Sequence, residues 1–183
     1  MSMLFDLICL IVVLGIIGLV VIVVYATLKP TDDTKVVVEE RLPLQLESLT
    51  DTEAVFSTKM PLRNSGVEDA AITDVFARPF LPQEQFPDAV AYGHVERETV
   101  RRQDNYIEAF ILNANSEQQL IVTLRYVARN NKNIKEVLSH MVDMDTVIYC
   151  VGMARKAIYT KKFFFTVDGT EISALVGGAD NGR

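Results

Sequence analysis

Two histidines and two cysteines are the side chains of this 183-residue chain best suited to metal or nucleophilic chemistry. His94 lies in YGHVERE, where alternation along an extended strand puts it on one face with Glu96 and Glu98, a carboxylate–imidazole grouping. A metal site needs several ligands that converge, and a strand bearing three polar side chains at alternate positions is first of all a solvated strand face. His140 follows an apolar helical stripe, and a cation at a helix C-terminus is favoured by the helix dipole. Cys150 stands between Tyr149 and Val151 with no basic neighbour to stabilise a thiolate, so it reads as a buried structural residue. Asp143 and Asp145 in DMD make half of an oxygen-rich cation site. Calcium takes about 6–8 oxygens, and a turn that ends a helix accounts better for the pair. The chain carries no phosphate-binding glycine loop, dinucleotide fingerprint, nucleophile elbow or HExxH motif. The expectation is a protein that is not an enzyme, with no catalytic, cofactor-binding or metal-binding residues.

Contact chemistry is better represented. RETVRRQDN, 97–105, is a dense mixed-charge tip in which Arg97, Arg101 and Arg102 offer guanidinium groups to a carboxylate, a phosphate or an acidic surface. The bland reading is a solvated hairpin end. In YTKKFFF, Phe164 points opposite to Phe163 and Phe165. Either both faces of that strand are covered, the ordinary case, or an aromatic ring is exposed for a partner. Lys161 and Lys162 beside it suit a strand edge guarded against pairing. These six residues are the candidate partner contacts.

The elements that position them begin with an apolar run. About 20 residues from Leu7 to Ala26 carry no charge, enough for a helix of roughly 30 Å, the hydrocarbon thickness of a bilayer. A secretory signal has a basic start and a core of only about 7–15 residues; here the stretch before Leu7 has no Lys or Arg, although Val24-Tyr25-Ala26 resembles a cleavage site. The run therefore reads as a single-pass anchor over 1–28, with Tyr25 at the interface, Lys29 snorkelling and Pro30 ending the helix. Lys29, Lys35 and Arg41 follow the span, which leans the remainder of the chain to the cytoplasmic side.

All 18 Lys and Arg lie beyond the anchor and, of the 24 Asp and Glu, only Asp6 precedes it, so the remainder carries a net charge of about −5. That excludes the basic footprint of a nucleic-acid binder. With Cys9 inside the apolar run, Cys150 has no partner for a disulfide within the domain. A polar linker, 29–34, leads to one domain, 35–172, and a flexible tail, 173–183. Apolar residues alternate in TKVVVEERL, EAVFSTKMPL, AAITDVFARPFLP, VAYGHVERETV, NYIEAFILNA, QQLIVTLRYVAR, DTVIYCVGMAR and AIYTKKFFFTV. RNSGVEDA supplies a turn, with Asn64-Ser65-Gly66 suited to positive φ. One segment departs from period two. Ile134, Val137, Leu138 and Met141 form the stripe of a short amphipathic helix capped by Asn133, expected to cover an open end or edge of the sheet.

Seven or eight strands with frequent turns and one short helix predict an all-β antiparallel sandwich behind a transmembrane helix. In architecture this resembles immunoglobulin-like and fibronectin-like sandwiches. The lack of Trp and of a Cys pair argues against a true immunoglobulin domain, and the resemblance carries no functional motif. The functional expectation is a membrane-anchored accessory or scaffold subunit that acts by protein contact, its partners the lipid bilayer and a membrane protein or further copies of itself. The alternative is a tethered module that binds a lipid or small molecule between the sheets or under the 131–142 helix.

Overall fold

The computed structural model describes residues 2–28, 33–102, 106–153 and 158–178; Lys29, Pro30 and the ends of the linker and tail expectations fall outside these. The chain divides into two compact units, Met1–Thr31 and Asp32–Arg183. The first holds helix α1 (Ser2–Leu28). Within it Phe5–Ala26 is long and apolar enough to cross a membrane, as a signal sequence can also be.

The second unit is a two-sheet antiparallel sandwich. Sheet A contains β1 (Thr34–Val36), β2 (Gln45–Leu49), β3 (Glu53–Asn64), β5 (Ala89–Arg97) and β7 (Ser116–Ala128), with β1 and β2 sharing one edge of β3, then β7, then β5. Sheet B runs β6 (Phe110–Leu112), β4 (Ala70–Phe80), β8 (Met144–Met153), β9 (Ile158–Val167). The alternation expected of β7 is present, with Ile121 of its outward set buried as well. Leu120, Val122, Leu124 and Tyr126 are fully buried between the sheets, with Ala54, Phe56, Met60 and Leu62 of β3 beside them. Phe56 meets Tyr126 edge to face at 5.7 Å. Burial pushes the Tyr126 phenol well above its usual range, and its hydroxyl donates to Met144 Sδ at 3.8 Å.

Local chemistry explains the departures from simple alternation. TKVVVEERL is not one strand: β1 stops at Val36 and a 3₁₀ turn, Val38–Glu40, follows. Val37 N–H donates to the Pro61 carbonyl at 2.9 Å. In extended backbone the N–H and C=O of one residue point the same way, so Pro61 lacks the donor that would continue this ladder. The turn after β3 uses no positive φ at Asn64, Ser65 or Gly66; instead Asn64 Oδ1 accepts from Gly66 N–H at 3.0 Å. Positive φ falls on Asn115, Asn130 and Asn131. Pro79 sits inside β4, which is tolerable because β6 pairs only with 70–72 and leaves the rest of that edge unpaired within sheet B. Gly93 of β5 comes against this edge, where a Cβ would lie 2.7 Å from the Ala77 carbonyl oxygen.

One end of the sandwich is closed by two helices packed on each other. In α2 (Ile134–Leu138), Ile134, Val137 and Leu138 are buried and Asn133 Oδ1 accepts from Lys135 N–H at 2.9 Å. The second, α3 (Gly169–Gly178), occupies much of the segment read as a flexible tail. Ile172 and Val176 bury one face, Asp168 Oδ1 accepts from Thr170 N–H at 2.9 Å, and Glu171 accepts from Leu44 N–H at 2.8 Å and Arg41 Nη2 at 3.1 Å. A ten-residue helix ending in two glycines is marginal alone; burial holds it.

Candidate interaction surface

Beyond Arg97, at the end of β5, the chain crosses from sheet A to sheet B instead of closing a hairpin. The guanidinium of Arg97 lies 4.5 Å from the Phe110 ring centroid. Arg101 Nε donates to Glu96 Oε1 at 2.8 Å and Arg102 N–H to Glu96 Oε2 at 3.2 Å, while the Arg102 guanidinium pairs with Glu108. Glu96 is itself buried. These cations serve to fold the crossover, and residues 103–105 of the expected tip fall outside the described residues. Of the remaining three candidates, Lys161 faces inward and donates to the Thr34 carbonyl at 3.0 Å. Lys162 and Phe164 share the outer face of β9. Because β6 and β9 are opposite edges of sheet B, the arginine cluster and the β9 pair do not converge.

Two-sided burial, the ordinary expectation for YTKKFFF, does not hold: Phe164 is 60% exposed while Phe165 and Val167 are buried. The register shows its company. Across β4, β8 and β9 the outer face of sheet B carries rows Ala71–Met153–Ile158, Asp74–Val151–Thr160, Phe76–Tyr149–Lys162, Arg78–Val147–Phe164 and Phe80–Asp145–Thr166, with Ile111 of β6 beside Ala71. Phe76, Phe80, Ile111, Met153, Ile158 and Phe164 are 42–68% exposed. Phe76 stacks on Tyr149 with centroids 4.7 Å apart; Lys162 Nζ lies 5.5 Å from the Tyr149 ring centroid and the Arg78 guanidinium 5.9 Å from that of Phe80. Val147 is fully buried beneath this layer. Sequence reading found Phe164 and missed the rest. The alternation Phe76, Arg78, Phe80 in DVFARPF was a legible signal, but only the register places it beside β8 and β9.

The residues whose types suit chemistry are dispersed. Among the described residues no three His, Cys, Asp or Glu side chains are grouped to hold a metal ion. Glu98, on the same outward side of sheet A as His94, is engaged by Lys59 at 2.6 Å. Asp143 Oδ1 accepts from Gly169 N–H at 2.9 Å and Asp145 Oδ1 from the Thr166 hydroxyl at 2.7 Å, so both serve the end of sheet B. His140 is exposed beyond α2, and Cys150 is buried. His94 lines a groove of about 760 Å³ with Phe76, Tyr92, Tyr106 and Arg125, where β4 and the crossover meet the outer side of β5 and β7. This groove lies neither between the sheets nor under α2, the places expected for a ligand.

No family model matches the chain, and no curated protein matches it. Among solved structures, a protein from Archaeoglobus fulgidus is similar at 9% identity over 74% of this chain and 94% of that one, with a TM-score of 0.41. The GAE domain of GGA2p from Saccharomyces cerevisiae is similar at 8% identity over 69% of this chain and 98% of that one, TM-score 0.30. A yeast GGA1 GAE domain stands at 9% identity, 68% and 97%, TM-score 0.31. Likeness at this level assigns neither family nor activity.

Proposed function

We propose that this protein is a membrane-anchored accessory or scaffold subunit whose immunoglobulin-like or fibronectin-like sandwich works by protein contact and not by catalysis. The observation that carries the reading is the outer face of sheet B, where six large apolar side chains stand exposed on the same side of the sheet. Contiguous apolar surface of this kind marks an interaction site on a soluble domain. The apolar helix supports tethering, which confines the partner search to the bilayer plane and raises effective concentration. The Lys/Arg bias after the helix favours the cytoplasmic side.

The test is purification of the native full-length chain from membranes in gentle detergent, with sizing and identification of what accompanies it. Stoichiometric assembly, with partner or self, is the expected result; a lone monomer would overturn the contact reading. Sequencing the mature N-terminus tests the anchor, and a water-soluble product lacking the first 26 residues would overturn it. The groove favours a second reading, the binding of a lipid or small molecule, since about 760 Å³ lies within the range of about 300–1,000 Å³ typical of ligand sites. Native mass spectrometry would show the adduct.

A further inference from the structure

We propose that the outer face of sheet B is a homodimer interface, covered by the same face of a second copy about a two-fold axis that crosses the strands at the Phe76–Tyr149–Lys162 row. The inference rests on the protein-contact reading and names both the surface and its occupant.

Charge selects the occupant. The domain beyond the helix is net negative, so two copies repel in most orientations. This face is balanced, with Asp74 and Asp145 against Arg78 and Lys162. A strongly acidic or basic partner would leave two of these four charges opposed, and an anionic lipid surface would meet Asp74 and Asp145. Among the described residues neither Asp74 nor Arg78 has an ion-pair partner.

Geometry selects the axis. A two-fold axis across the strands at the third row lays each strand antiparallel over its own counterpart, within the aligned packing that stacked sheets adopt. Row two then faces row four. Asp74 meets Arg78 of the second copy and Arg78 meets its Asp74, giving two symmetric ion pairs. Large side chains face small ones: Phe80 opposes Ala71, and Phe164 opposes Thr160. Phe76 meets its own equivalent on the axis. Lys162 also meets its equivalent, but on edge strand β9, at the rim, where solvent screens it. Asp145 faces Met153, a second poor match, at the end of the face where the Thr166 hydroxyl already serves it. An axis along the strands would instead set Asp74 over Thr160 and Arg78 over Phe164, leaving both charges unmatched.

Size is adequate. Three strands spaced about 4.8 Å apart and five rows spaced about 6.8 Å apart span roughly 500 Å² in projection, so a pair buries upward of about 1,000 Å², the lower bound for a specific interface.

The experiment uses the full-length chain in mild detergent, with Cys9→Ser removing the exposed thiol of the apolar helix. Light scattering should give a dimer. Asp74→Arg alone and Arg78→Asp alone should each weaken dimerisation about tenfold or more, the scale of losing a charge pair and creating a repulsive one. The double variant, D74R with R78D, should restore it. Phe76→Cys should form a covalent dimer with a short bismaleimide. Single variants as dimeric as the parent, a double variant that stays monomeric with native circular dichroism, or no cross-link at Phe76→Cys would each overturn the inference. If that cysteine is instead shielded only when the chain is placed in lipid nanodiscs, the bilayer covers the face and the dimer is likewise overturned. Should the dimer fail while the native chain purifies with a different protein at fixed stoichiometry, the contact reading survives; a monomer with no companion ends both.

Discussion

The two outer faces of the sandwich are built from the same alternating strands yet have opposite surface chemistry. On sheet A the outward residues of β3 and β7 are tied across strands by ion pairs. Arg63 reaches Glu40 at 3.0 Å and Glu117 at 2.8 Å, Lys59 reaches Glu98 at 2.6 Å, and Arg125 reaches Glu53 at 2.6 Å. On sheet B large aromatic and aliphatic side chains share the outward positions with Asp74, Asp145, Arg78 and Lys162, and the two cations lie over rings instead of pairing across strands. An exposed ion-paired face is content in water; an exposed aromatic face gains free energy only by being covered. The protein-contact proposal rests on that difference, with sheet B as the contacting face and the ion-paired strands of sheet A turned to solvent.

The contrast can be broken from the core outward. Phe56→Ala, beneath sheet A in the shared core, should cost about 3–5 kcal/mol in denaturant unfolding. Loss of signal from both sheets in a single transition would show that one core supports both faces; two transitions would break that picture. Glu171→Gln removes the charge that meets Arg41 and weakens the acceptor of Leu44 N–H. It should cost about 1.5–3 kcal/mol and raise hydrogen exchange first in α3.

Smaller effects sharpen the comparison. Glu53→Gln on sheet A should cost only about 0.2–1 kcal/mol, the scale of an exposed ion pair, and the loss should shrink in high salt. The Glu53 carboxyl is held below its usual 4.5 by its hydrogen bond to Arg125. Asp168 is likewise held below 3.8 by its hydrogen bonds to Thr170. In each case the unfolded chain binds protons at higher pH than the fold does. Stability should therefore be level above the ordinary carboxylate range and fall as acid is added through the lowered folded values. Arg125→Gln should flatten part of that slope. Smallest in stability is Phe164→Ser, within about 0.5 kcal/mol for an exposed site, though it should reduce binding of an apolar dye to the domain. A cost above about 2 kcal/mol would return Phe164 to the core and erase the contrast between the faces.

How much was legible varied with the range of the interaction. The inward set of β7, the cap and stripe of α2 and the burial of Cys150 followed from spacing alone, because each depends on residues a few positions apart. The 3₁₀ turn after β1 was missed because its cause is Pro61, which reaches β1 only across the sheet. Helix α3 was missed because its ends are glycines, and its stability comes from Ile172, Val176 and the Glu171 contacts with Arg41 and Leu44. The ion pairs of the tip were missed because nothing local shows that Glu96 and Glu108 face Arg101 and Arg102.

The sequence by itself determined an apolar N-terminal helix, an antiparallel strand domain of net negative charge, and the inward set of β7. Hydrophobic period and composition are local properties, and these conclusions need nothing more. Which outward residues become neighbours was decided only by the tertiary structure. Phe76, Tyr149 and Phe164 come from three separate strands and share one face because one register aligns β4, β8 and β9. Surface chemistry is a property of that alignment, since a shift of one residue would send every aromatic ring to the other face.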